Sequence, residues 1–169
     1  MLKSTKTLTA LAALLAITLA TTAEARQGSF RARGANGVVA GATGANGRAV
    51  RARGTTTNAD GSTTRASGGA FRGANGSSGY RASTTTANTD GSVTRAGQAA
   101  VSGAKGSAAS SGSFTRGADG TWSGGRSTSA TNAATGNSYS GSTTIDPATG
   151  KPVHSGTCTD AAGNVISCN

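Results

Sequence analysis

Leucine and methionine disappear from this sequence after residue 25: the Leu residues fall between Leu2 and Leu19, and Met1 is the one methionine. The same stretch lacks Glu, has no Pro before Pro147, and holds a single His, His154. The larger apolar residues after residue 25 number fifteen, among them Phe30, Phe71, Tyr80, Phe114, Trp122 and Tyr139. Full burial of each is worth about 1.5–3 kcal/mol, whereas ordering a backbone costs about 1–2 kcal/mol per residue. An ordinary compact core is out of reach, and the composition also carries the mark of a largely disordered low-complexity chain. One His excludes a histidine metal cluster. The serines include no G-x-S-x-G elbow, and the glycines include no G-x-x-x-x-G-K-[ST] phosphate cradle. The sequence implies no cofactor, no metal and no small-molecule substrate, and the expectation is a protein without catalytic activity.

The first 25 residues read as a leader. MLKSTK carries two lysines, LTALAALLAITLATT has the length of a signal h-region, and Ala23-Glu24-Ala25 offers an A-x-A cleavage site before Arg26. The apolar run is too short for a membrane span, which needs roughly 20 apolar residues. The expectation is a bacterial Sec-type signal peptide over 1–25, with the rest secreted or periplasmic and without an integral membrane span.

What the remainder does have is a ruler. The phrases GANG (34–37, 44–47 and 73–76), NADG (58–61), NTDG (88–91), GAKG (103–106), GADG (117–120), AATG (133–136), PATG (147–150) and DAAG (160–163) recur along it. After Gly37, their closing glycines are Gly47, Gly61, Gly76, Gly91, Gly106, Gly120, Gly136, Gly150 and Gly163, and from Gly47 onward they are 13–16 residues apart. A fixed period marks a repeat architecture. Asn-Gly and Asp-Gly are strong hairpin signals because both residues tolerate the positive φ of tight turns. The segments between are rich in Thr, Ser and Val, whose branched or small side chains suit a pleated strand better than a helix.

The expectation is therefore an all-β, antiparallel meander of about nine or ten strands with a period of about 15 residues. A single layer, a flattened two-layer sheet and a stacked solenoid all fit that period. The small residues of the strand middles would let a second sheet or chain approach closely. The chain divides into the leader, an irregular basic segment with the first turns over 26–47, strand repeats over 48–145, and a C-terminal hairpin over 146–169. The two cysteines, Cys158 and Cys168, flank the last turn and read as a disulfide of an exported protein, diagonal rather than directly opposed.

Charge is lopsided. Residues 26–95 hold ten Arg against Asp60 and Asp90, a net +8, whereas residues 96–169 hold Lys105, Arg116, Arg126 and Lys151 against Asp119, Asp146 and Asp160, a net +1. Arg51, Arg65 and Arg95 each stand four residues after a turn glycine, while Arg33, Arg72 and Arg116 stand four before one. Such register-locked positions form rows across a sheet. Arg51, Arg53, Arg65, Arg72, Arg81 and Arg95 are the candidates for contact with an anionic polymer, since the guanidinium fork suits phosphate and sulfate. All five Asp sit in turn phrases, where local backbone bonding accounts for them and leaves no carboxylate pair for glycoside chemistry.

The tail TIDPATGKPVHSGTCTDAAGNVISC resembles the hairpins of the YD repeats in bacterial Rhs-type proteins, with Thr159 in place of the usual Tyr before Asp160. The chain as a whole is similar to small secreted Thr/Gly/Arg-rich repeat proteins of Gram-negative bacteria, some labelled phage infection protein. That likeness implies export and a repeat, and no activity. Two functions follow as expectations: a structural or surface-matrix protein whose sheet edges pair with other copies, or a binding module for lipopolysaccharide, extracellular DNA or acidic polysaccharide.

Overall fold

The computed structural model of the chain describes residues 27–168; the signal peptide expected over 1–25 lies outside them. Eleven strands follow one another: β1 (Gly28–Gly34), β2 (Gly37–Gly44), β3 (Gly47–Thr57), β4 (Thr63–Gly73), β5 (Ser78–Ala87), β6 (Val93–Gly103), β7 (Gly106–Arg116), β8 (Trp122–Asn132), β9 (Ser138–Ile145), β10 (Pro152–Thr159) and β11 (Val165–Ile166). They form one open antiparallel sheet in sequence order. The meander is thus a single layer, neither solenoid nor barrel. Residues 28–44, expected to be irregular, form β1 and β2, because their two GANG turns lie close enough to bound a strand of eight residues.

Each strand is held laterally. Among the described residues no hydrophobic side chain is buried. Backbone ladders of seven to eleven rungs join most neighbours, whereas β11 pairs with β10 only through Cys158–Ile166 and Thr159–Val165. Hydroxyl pairs reinforce the ladder: Thr64 with Thr86 at 2.9 Å, Thr94 with Thr115 at 3.0 Å, Ser138 with Thr159 at 2.7 Å and Ser142 with Ser155 at 2.9 Å. Such cross-strand pairs contribute about 0.2–1 kcal/mol each.

The tetrapeptide GANG makes two different turns. At 34–37 and 44–47 the flanking glycines pair directly, Gly34 with Gly37 and Gly44 with Gly47, so Ala-Asn alone spans the hairpin. At 73–76 the loop is longer: the Gly73 N–H donates to the Ser77 carbonyl at 2.7 Å and the Gly76 N–H to the Gly73 carbonyl at 3.1 Å. The difference lies one residue further on, Ser77 where the others have Val38 and Arg48. Asn75 Oδ1 accepts from the Ser77 N–H at 3.1 Å and from its hydroxyl at 2.6 Å. The same clamp joins Asp60 to Ser62, Asp90 to Ser92 and Asp119 to Thr121. Asn and Asp therefore act by accepting hydrogen bonds. The positive φ expected of them is absent: among the described residues only glycines have it, and the nine turn glycines from Gly47 to Gly163 lie between 66° and 136°. Gly47 and Gly106 close their turns as the first residues of β3 and β7.

Some of the strand glycines have a use the sequence does not announce. Phe30 pairs with Gly41 and Phe71 with Gly79. A methyl group on Gly79 would stand 2.6 Å from Phe71 Cε1 and 2.9 Å from the Ala100 carbonyl oxygen, and one on Gly156 would stand 2.7 Å from Tyr139 Cε2. These glycines lie beneath rings of their own sheet. Rings laid over glycines are a recognised way to stabilise a strand that glycine weakens. Gly79→Ala is expected to destabilise the sheet by about 1–3 kcal/mol. Gly44→Ala, with open space around the new methyl, should change stability by less than about 0.5 kcal/mol. Urea unfolding of the two variants checks the difference; equal losses would refute the covering role of Phe71.

Candidate functional site

Directly paired residues share a face of a sheet, and faces alternate along each strand. The register therefore sorts the charges. One row crosses β1 to β6 as Arg31, Ala40, Arg51, Gly69, Arg81 and Ala99. Beside it on the same face runs Arg33, Val38, Arg53, Ser67 and Ser83, continuing to Arg126 on β8 and His154 on β10. A third row holds Thr55, Arg65, Thr85, Arg95 and Phe114, and Arg116 lies between Val93 and Trp122 in the next. Nine of the eleven described arginines thus occupy one face, all exposed.

Five sequence candidates, Arg51, Arg53, Arg65, Arg81 and Arg95, come together there. Arg72 does not. It lies on the opposite face, directly across from Arg48. Arg65 and Arg72 are seven residues apart in β4, and an odd separation puts them on opposite sides. Arg31, Arg33, Arg116 and Arg126 join the candidate face. Even spacing within one strand, as in Arg31-Ala32-Arg33, was the signal for the first two.

No two arginines on this face are direct cross-strand partners; each pairs with Ala, Gly, Ser, Thr, Val, Phe or Trp. Like charges directly opposite would be destabilising, so the spacing carries a high charge at low cost. The Arg126 Nε–H donates to Ser110 Oγ at 2.6 Å. At the centre of the face an open depression of about 540 Å³ is bordered by Arg51, Gly69, Phe71, Arg81, Ala99 and Val101. Phe71, 44% exposed, presents a ring there. Further along, His154 is held between the Tyr139 hydroxyl at 3.0 Å and Thr143 Oγ1 at 3.1 Å.

Cys158 and Cys168 are bonded, with Cα atoms 5.4 Å apart. Cys158 pairs with Ile166, so the bridge is diagonal as the sequence suggests. It ties the two-rung β11 to the sheet. Among the described residues no group of His, Cys, Asp or Glu could hold a metal ion, and no helix is long and apolar enough to cross a membrane.

The turn carboxylates complete the electrostatics. The Ser62 hydroxyl and N–H hold Asp60 below the usual carboxylate range, and Ser92 and Thr121 do the same for Asp90 and Asp119. Backbone and side-chain donors also lower Asp146 and Asp160. A folded-state pKa below the unfolded value gives stability that is present above the unfolded pKa, near 3.9 for Asp, and lost as pH falls through the folded value. Thermal stability is expected to be flat near neutrality and to fall below about pH 3.9. A triple variant, Asp60→Asn, Asp90→Asn and Asp119→Asn, should keep the turns, as Asn75 does, and flatten this acid limb. Melting curves across pH test it; an acid limb unchanged in the triple variant would refute the assignment.

No protein-family model, curated protein or solved structure matches this chain.

Proposed function

We propose that the chain is an exported, non-catalytic binding sheet that holds anionic polymers of a cell envelope or extracellular matrix on its arginine face. One observation carries this reading: nine arginines share one face, each set against a neutral cross-strand partner. Solubility alone would be served by arginines on either face. A one-sided array raises the local potential over an open surface, which favours extended anionic partners. The disulfide agrees with an oxidising compartment outside the cytoplasm.

A structural reading is supported by the sheet margins. Among the described residues no strand pairs with the outer edge of β1, and the outer edge of β10 is paired only at Cys158 and Thr159. Unpaired edges are templates for strand addition, so copies could extend the sheet and enlarge the basic face.

The test removes equal charge from the two faces. Arg51→Gln with Arg81→Gln should lower the salt needed to elute the full chain from a heparin column. In salt titrations the slope should flatten by up to about two ions, since each neutralised polymer charge contributes about 0.7–0.9. Arg48→Gln with Arg72→Gln removes the same charge from the other face and should have a much smaller effect. Equal shifts for the two pairs would overturn the reading.

A further inference from the structure

Polyanions differ in how often charge recurs, and this sheet has a spacing of its own. In the Arg31–Ala40–Arg51–Gly69–Arg81–Ala99 row, arginine occupies alternate strands, β1, β3 and β5. Arg65 and Arg95 repeat the pattern on β4 and β6, with Thr85 between them. Neighbouring strands lie about 4.7–4.9 Å apart, which sets arginine Cα positions roughly 9.5 Å apart along a row. A nucleic acid strand presents phosphates at a much closer rise of roughly 3.4 Å in duplex form. Two linked sugar rings cover a distance comparable to the arginine spacing.

The depression between Arg51 and Arg81 supplies a second and independent observation. Its border combines two guanidinium groups with the exposed ring of Phe71 and the small apolar surfaces of Gly69, Ala99 and Val101. Concave sites with an apolar lining and a few placed polar groups suit a small ring that carries both apolar and polar edges. A pyranose has C–H faces for the Phe71 ring and hydroxyl and carboxylate edges for the arginines. A row built for bases would need repeated stacking platforms, and of the two aromatic residues bordering this depression, Phe71 and Tyr80, only Phe71 lies on the arginine face.

We infer that the row takes a linear acidic polysaccharide with one carboxylate per disaccharide, lying across the strands. Successive carboxylates meet Arg31, Arg51 and Arg81, and a sugar ring sits in the depression against Phe71. The inference rests on the polyanion reading and refines it to a ligand class.

The experiment changes spacing without changing charge. Arg81→Ala with Ala99→Arg moves one guanidinium a single strand along its row, where its direct partners become residue 81, now Ala, and Ser110. The full oxidised chain and this variant are titrated with hyaluronate, which carries one carboxylate per two rings, and with polygalacturonate, which carries one per ring. The swap is expected to weaken hyaluronate roughly tenfold, about the loss of one charged contact, and to leave polygalacturonate unchanged. Equal effects on both polymers, or none, would overturn the spacing inference while leaving polyanion binding intact. Failure of the unaltered chain to bind either polymer at low salt would remove the polyanion reading itself. Should the swapped chain not fold, the arginine Nε–Hε NMR signals of the unaltered protein decide the matter. Hyaluronate should perturb Arg31, Arg51 and Arg81 together and spare Arg48 and Arg72; perturbation of both groups alike would refute the row.

Discussion

Lateral pairing is the constraint on which the rest of this structure depends. With no hydrophobic side chain buried among the described residues, neither face of the sheet can borrow stability from a second layer. Each strand is held by its neighbours alone, through the backbone ladder, hydroxyl pairs and rings laid over glycines. Register follows as the controlling variable. A slip of one residue would carry every side chain of a strand to the other face, breaking the Phe71–Gly79 cover and moving arginines off the basic side. The turns set the register, and within them the Asp–Ser, Asp–Thr and Asn–Ser clamps select loop length.

Function and stability therefore meet in the same geometry. The clamps keep strands in phase, and phase gathers arginines from β1 to β8 on one face. Alternation with small or neutral partners keeps that face from opposing its own folding. The same alternation leaves room between guanidinium groups, which is where the depression beside Phe71 opens. A conventional enclosed pocket would need a core that this composition cannot build.

Much of the scaffold was legible in the sequence. The glycine ruler gave the turns, the meander and the diagonal Cys158–Cys168 bridge, because local turn chemistry and short-range closure do not depend on distant partners. The strand count came out low where two turns only ten residues apart enclosed β2. The face assignment was half legible. Odd and even separations within a strand already split Arg65 from Arg72 and join Arg51 to Arg53. Relating strands to one another required knowing which GANG makes a short turn and which a long one, and that depended on the residue after it, Val38 or Arg48 against Ser77. The covering of glycines by Phe30, Phe71 and Tyr139 was not legible, since these contacts exist only once strands are paired.

The central claim is that one face of a single-layer sheet is the binding surface. Arginine-selective chemical modification, followed residue by residue with mass spectrometry in the presence and absence of a bound polyanion, tests it most directly. Protection of Arg31, Arg51, Arg53, Arg65, Arg81 and Arg95, with Arg48 and Arg72 still reacting freely, is the result this account predicts. Protection spread over all of these positions alike, or confined to Arg48 and Arg72, would contradict it.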